Sequence, residues 1–237
     1  MGSEELIGAA LAGLAARHDL SGGQVAQLRV LLELLECDER APTSVRDALT
    51  AVDVHLADSL AALEIAAVRA AGRIADLGSG AGFPGLALAV ALPASELWLI
   101  ESQARKCLFL EQAATRAGLG NARIVCARAE QWREGRSTHD LVVARAVAAQ
   151  PVVLEYAAPL LRLGGSFVDW RGRAAAGEER AARRAAEELG LRPAGVRRVE
   201  PFAGARDHHL HVFEKVAETP ARFPRRAGMA RKRPLGA

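Results

Sequence analysis

Two carboxylates, a dense run of glycines and one arginine are spaced along this chain in a way that suits a small charged cofactor. Asp76 closes a short apolar run, Ile74 to Leu77, and opens the stretch DLGSGAGFPG, with glycines at 78, 80, 82 and 85. Glycine lets the backbone turn sharply and approach a ligand with no Cβ in the way. The helix predicted over Leu86 to Leu92 would point unpaired N–H groups and a positive dipole end at an anionic group. Gly80, Gly82 and Gly85 also satisfy the dinucleotide spacing GxGxxG, alone a weak signal. Asp76 discriminates between the two kinds of cofactor. A carboxylate repels a pyrophosphate, whereas it attracts the ammonium group of S-adenosylmethionine. Glu101 ends the next apolar run and suits a ribose hydroxyl pair in either cofactor. S-adenosylmethionine is the expected cofactor.

The acceptor chemistry is read from the run Asp140 to Arg145, predicted as the fourth strand. It delivers neither a cysteine for attack on carbon nor an Asn/Asp-Pro-Pro-aromatic run for an exocyclic amine. Arginine stays protonated and cannot serve as a base. The acceptor atom should then own a free lone pair. Guanine N7 fits, with Arg145 on the neighbouring O6 or on a phosphate. Catalysis would be chiefly in-line positioning. A structural salt bridge is the competing reading of Arg145.

These residues need a scaffold, and the hydrophobic pattern supplies one. From Arg73 onward strands and helices alternate, as a parallel α/β sheet requires. Strands are predicted at 73–77, 96–101, 122–127, 140–144 and 165–170, with later ones near Leu191 to Val199 and Asp207 to Val216. Helices are predicted at 84–92, 103–117, 151–162 and 174–189, with Gly164 and Gly165 turning the third into its strand. Residues 1–70 read as helical: Ser21 and Gln24 form a capping box, and Asp53 is a candidate cap for a helix carrying Leu56, Leu60 and Leu63. The expected organisation is a helical extension over 1–70, a core unit over 71–216 and a basic tail over 217–237.

Composition sets the outer bounds. The chain has 237 residues, half of them hydrophobic, enough for a sizeable core. The uncharged span Leu77 to Ser95 reaches membrane-spanning length, but its glycines and prolines break it into turn and helix. Nothing resembles a signal peptide, and a cytoplasmic protein is expected. Cys37, Cys107 and Cys126 lack any CxxC spacing and are expected as core residues rather than disulfides or zinc ligands. His208, His209 and His211 cluster, but no acid or cysteine is placed to complete a metal site, so they read as polar outer positions of a strand. Charge is uneven: residues 1–70 carry a net −6, 71–216 a net +4 and 217–237 a net +5. The tail holds six basic residues and little apolar surface, so it is expected not to fold alone, with its two arginine clusters touching phosphates.

Together these residues resemble the bacterial ribosomal RNA small subunit methyltransferase G family, also called glucose-inhibited division protein B. The resemblance rests on Asp76 to Gly85, on Glu101 and Ser102 followed by Arg105, Lys106, Phe109 and Leu110, and on Arg128, Ala129 and Glu130. It continues through His55 to Ser59, Arg145 and Ala146, Arg171 and Gly172, and the tail runs FPRRAG (223–228) and KRPL (232–235). Two departures stand out: Ala41, Pro42 and Thr43 replace an Asn-Leu-Thr run, and Arg171 stands where a lysine is common.

The resemblance implies a class I S-adenosylmethionine-dependent methyltransferase fold, Rossmann-like with a mostly parallel seven-stranded sheet. It also implies N7 methylation of a decoding-region guanine in 16S rRNA, with naked 16S rRNA or the small ribosomal subunit as partner and no DNA or membrane. Carried over by position, Asp76, Gly78, Ser79, Gly80, Phe83, Glu101, Ser102, Ala129, Glu130 and Arg145 would meet the cofactor. Arg128 and Arg145 would stand at the methyl-transfer site, and Arg105, Lys106, Arg171, Arg225, Arg226, Lys232 and Arg233 would face RNA. Two rival readings remain: a methyltransferase for a small molecule or protein, and an RNA-binding module without activity.

Overall fold

The computed structural model describes residues 2–172 and 176–236. A seven-stranded sheet forms the centre: β1 (Arg73–Leu77), β2 (Glu96–Glu101), β3 (Ala122–Cys126), β4 (His139–Arg145), β5 (Leu161–Arg171), β6 (Leu191–Val199) and β7 (His208–Lys215). Their spatial order is β3-β2-β1-β4-β5-β7-β6. The first five are parallel, and β7 enters antiparallel to both β5 and β6. The order reverses between β1 and β4, where an open α/β sheet leaves a crevice at its carboxyl edge. Asp76, Glu101 and Arg145 all come from strand ends at that edge.

Helices α6 (Gly85–Ala91), α7 (Ala104–Arg116), α8 (Gln150–Ala157) and α9 (Ala176–Glu188) cover the sheet. Ala174 and Ala175, expected to begin the last of these, lie outside the described residues. The expected helix over 151–162 stops at Ala157, and β5 already begins at Leu161. Ala158 is still helical, but Pro159 has no N–H to continue the ladder and ends α8. Gly164 and Gly165 lie inside β5, not ahead of it. Gly164 takes φ 77, and the register slips between the His139–Leu161 and Leu141–Ser166 pairs. The glycines mark a bulge.

Ahead of the sheet run α1 (Ser3–His18), α2 (Gly22–Cys37), α3 (Ala48–Ala51), a π-helical turn over Val52–Ala57, α4 (Asp58–Leu60), a 3₁₀ turn and α5 (Ala66–Ala70). Ser21 and Gln24 form the expected capping box on α2. Asp53 is not a cap: Asp47 accepts the Thr50 N–H at 2.7 Å and caps the helix six residues earlier. Leu11, Leu28, Leu56 and Leu60 are buried in one cluster with Ile74, Leu97 and Leu141 of the sheet, so the N-terminal helices share its core. Cys107 is buried, but Cys37 and Cys126 are exposed, against expectation. No helix among the described residues is long and apolar enough to cross a membrane. The span Leu77 to Ser95 is the glycine turn, α6 and the loop into β2.

The C-terminal segment does not trail away. Phe223 and Ala230 are buried, Leu235 packs against the same cluster, and Met229–Lys232 forms a last short helix, α10. Glu155, on α8 and wholly buried, anchors the segment: Arg225 donates its backbone N–H and Nε to Oε1, both at 2.9 Å, and Nη2 to Oε2 at 2.5 Å.

Candidate active site

A cavity of 360 Å³ opens over the carboxyl edge of β1, β2 and β4, within the usual size of small-ligand sites. Gly78, Glu101, Ser102, Lys106, Arg128, Ala129 and Glu130 line it, so the fold brings together several of the residues expected to meet the cofactor. Gly78 takes φ 66, and a Cβ there would stand 3.0 Å from Val147 Cγ2, so only glycine fits between β1 and the turn after β4. Glu101 ties the turns together. Its Oε1 accepts the N–H groups of Ser102 at 2.7 Å and Gln103 at 2.9 Å, and its Oε2 that of Gly80 at 3.2 Å. Oε1 thus spends both of its lone pairs on the turn, and Oε2 keeps a second one for a ribose hydroxyl.

Asp76 is buried, behind the glycine turn and outside the wall of the cavity. Its Oδ2 accepts the Gly85 N–H at 3.1 Å. The helix N–H groups that the sequence offered to an anionic ligand are thus partly taken by Asp76 itself. A Cβ at residue 85 would come within 2.6 Å of that oxygen, so the last glycine of the run serves the carboxylate. Asp76 Oδ1 is buried with no partner. Burial raises the carboxyl to about 6, against the pull of the Ser79 hydroxyl, the Gly85 N–H and the Arg145 charge. An unpaired buried acceptor beside a cavity fits the S-adenosylmethionine ammonium, and Glu101 fits its ribose. Ser79, buried, bonds the Asp76 carbonyl at 3.0 Å and holds the turn.

The end of β4 carries a closed polar network. Arg145 donates Nη1 to Asp58 Oδ2 at 2.7 Å and to the Val54 carbonyl at 3.0 Å. Its Nη2 lies 3.4 Å from His55 Nδ1. The ion pair that competed with a substrate-binding role for Arg145 is therefore present, and one end of the guanidinium is committed to it. Asp58, also buried, uses Oδ1 on His208 Nδ1 at 2.9 Å, and its carbonyl accepts Trp170 Nε1 at 3.0 Å. His208 stands on β7, as its strand reading expects, and Asp58 is its partner there. The π-helical turn aims Val54 and His55 at Arg145, and such turns recur at functional sites. His55 stacks on Phe83 with ring centroids 4.9 Å apart and planes 9° from parallel, and its Nε2 meets Thr43 Oγ1 at 3.1 Å. Burial, then the Arg145 charge, lowers His55 to about 4, so its ring is neutral. Phe83, expected against the cofactor, is buried under this histidine.

The basic residues divide. Arg105, Arg128, Arg226, Lys232 and Arg233 are exposed. Lys106 turns inward, its Nζ 4.0 Å from Glu101 Oε2, and belongs to the cavity wall more than to an RNA face. Arg171 is folded onto buried Asp169 at 2.7 Å and the Ala148 carbonyl at 2.5 Å. Arg225 is consumed by Glu155, so the first tail cluster reduces to Arg226. The sequence reading missed Val147 and Tyr156 in the cavity wall, and it set Arg231 in a phosphate-facing cluster, whereas Arg231 lines the cavity. Val147 adjoins the singled-out pair Arg145 and Ala146 and was within reach of the motif; Tyr156 carried no signal.

The comparisons with known proteins agree with this geometry. The family model described as rRNA small subunit methyltransferase G matches residues 25–206. Ribosomal RNA small subunit methyltransferase G of Rubrobacter xylanophilus is 44% identical, covering 80% of this chain and 75% of its own. The Desulfitobacterium hafniense protein of the same name is 36% identical, covering 92% of each. A SAM-dependent O-methyltransferase from Thermotoga maritima superposes with a TM-score of 0.59 at 17% identity, covering 80% of this chain and 72% of its own. That likeness speaks to the fold: the class I S-adenosylmethionine-dependent methyltransferase architecture. The chain is an S-adenosylmethionine-dependent methyltransferase, and it belongs to the rRNA small subunit methyltransferase G family.

Proposed function

We propose that the chain methylates N7 of a guanine in 16S rRNA, with naked RNA or the small ribosomal subunit as substrate. The supporting observation is the state of the groups at the end of β4. Asp58, Arg145, His55 and His208 are bonded to one another, so none of the groups at the end of β4 is left free as a base. Guanine N7 needs none, because its lone pair is already available. S-adenosylmethionine, when bound, supplies an electrophilic methyl on sulfonium. The residues of the chain would bind and orient. Asp76 Oδ1 would take the ammonium, Glu101 the ribose, and Ala129 and Glu130 would flank the adenine. The remaining edge of Arg145, fixed by Asp58, would face the acceptor base.

Exposed Arg105, Arg128, Arg226, Lys232 and Arg233 would meet phosphates, each contact releasing counterions. In this reading residues 1–70 form a helical extension, 71–216 the transferase unit and 217–237 a basic segment. Incubating the protein with labelled S-adenosylmethionine and small subunits, then identifying the modified nucleoside, tests the proposal. N7-methylguanosine in 16S rRNA is expected. Label in a protein or a small molecule would reject it.

A further inference from the structure

The C-terminal segment crosses the mouth of the cofactor cavity. At one end the Gly228 N–H donates to Glu130 Oε1 at 3.1 Å, on the turn after β3. At the other, Arg231 Nη2 donates to the Val147 carbonyl at 3.1 Å, on the turn after β4. Between them Arg231 lines the cavity beside Tyr156 and Glu130. The charges of Glu130 and Arg231 act on the Tyr156 hydroxyl, which burial above all pushes up. The segment is held down by the buried Glu155 carboxylate on Arg225, by Phe223 in the core, and by Arg225 Nη2 on the Arg233 carbonyl at 2.8 Å. All of it lies beyond the residues matched by the family model. A purely solubilising tail would not place a buried ion pair and an arginine at one cavity.

We propose that Arg231 is a cofactor-contacting residue, strapped across the cavity by the C-terminal segment to close the adenosine end of S-adenosylmethionine. The inference rests on the cofactor assignment above. Asp76 on β1 would take the ammonium and Glu101 on β2 the ribose, which leaves the adenine toward the Arg128–Glu130 turn after β3, where Glu130 anchors the strap. Arginine carries five donors and no acceptor, so it donates to purine ring nitrogens or lies against the ring face. Its bond to the Val147 carbonyl fixes one nitrogen and leaves the rest of the fork for the ligand. Glu155 and Arg225 are positioning residues, acting through Arg231.

The test titrates the full-length protein with S-adenosylhomocysteine and with 5′-methylthioadenosine, which shares the adenosine end but lacks the amino acid. Arg231→Ala should weaken both ligands alike, by about tenfold, the loss of one hydrogen bond to a charged donor. Arg231→Lys should recover only part, since it keeps the charge and loses the planar fork. Arg231 is exposed, so the urea midpoint should stay near wild type. Glu155→Gln should weaken S-adenosylhomocysteine too, yet add little in the Arg231→Ala background.

Unchanged affinity in Arg231→Ala would overturn the proposal. A loss seen with S-adenosylhomocysteine alone would place the guanidinium on the amino-acid carboxylate and overturn it as well. So would a Glu155→Gln loss undiminished in the double variant. A wild-type protein that binds neither ligand would sink the cofactor assignment itself, a failure visible before any variant is made.

Discussion

Arg145 and Asp58 face each other at 2.7 Å, from β4 and from the helix that follows the π-helical turn, 87 residues apart in the chain. Both side chains are largely withdrawn from water, and His208 shares the carboxylate. The pair fixes the only arginine at the end of β4 before a substrate arrives. It also fastens the N-terminal helices to the sheet at the acceptor side.

Arg145→Ala should therefore damage both stability and catalysis. A buried carboxylate stripped of its main partner costs about 3 kcal/mol, read by urea unfolding. Methyl transfer should fall by at least about tenfold while S-adenosylhomocysteine affinity holds. Removing Asp58 as well should return part of the stability and none of the turnover. Full turnover in Arg145→Ala would leave the arginine a structural role alone.

Asp76 makes cofactor binding depend on pH. Burial raises its carboxyl to about 6, above the ordinary 3.8, so the folded protein favours the protonated acid. Its contribution to stability is full below 3.8 and is lost as pH rises through about 6, a cost of roughly 3 kcal/mol at neutral pH. Asp76→Asn should thus stabilise the ligand-free protein at pH 7. An ammonium ligand reverses the preference, so S-adenosylmethionine affinity should rise with pH through about 6, with proton release. Calorimetry in two buffers of different ionisation heat measures that release, and Asp76→Asn should abolish it.

His55 works in the opposite sense. Its pKa, lowered to about 4, lies below the ordinary 6.5, so the neutral ring favours folding. That stability is complete above 6.5 and is lost as pH falls toward 4. Comparing wild type with His55→Gln by urea unfolding should show a gap that narrows steadily from pH 6.5 to 4. A constant gap would mean that the ring titrates normally in the folded state.

The exposed basic residues near the cavity should set the salt dependence of RNA binding. Arg226, Lys232 and Arg233 are exposed on the C-terminal segment. Replacing all three with glutamine should weaken rRNA binding and lower the log–log salt slope by roughly 0.7 to 0.9 for each lost phosphate contact. Arg225→Gln should act differently. It leaves the buried Glu155 unpaired and should lower the unfolding midpoint instead. An unaltered salt slope in the triple variant would remove the segment from RNA recognition.

How much of this was legible in the sequence follows from contact range. The Ser21–Gln24 capping box, the five parallel strands and the turn from Asp76 to Gly85 are local, and residue type with spacing revealed them. Arg145 could be marked at a strand end but not partnered, because Asp58 and His208 lie 87 and 63 positions away. Hydrophobic periodicity does not show a π-helical turn, which differs from an α-helix by one residue of register. The bulge in β5 looked like a turn because glycines mark both. The tail misled by composition. Few apolar residues argued against order, yet Phe223 and Ala230 suffice once Glu155 supplies a buried counter-charge for Arg225.

The central claim is methyl transfer to guanine N7 in small-subunit rRNA by positioning alone, with no base. It is tested most directly by single-turnover methyl transfer from S-adenosylmethionine to small subunits lacking the modification, across pH 6.5 to 9, with the product nucleoside identified. The account predicts N7-methylguanosine in 16S rRNA at a rate that shows no step for a carboxylate, histidine or other base over that range. A methyl group on any other atom, or a rate that climbs with pH as a base is uncovered, would contradict it.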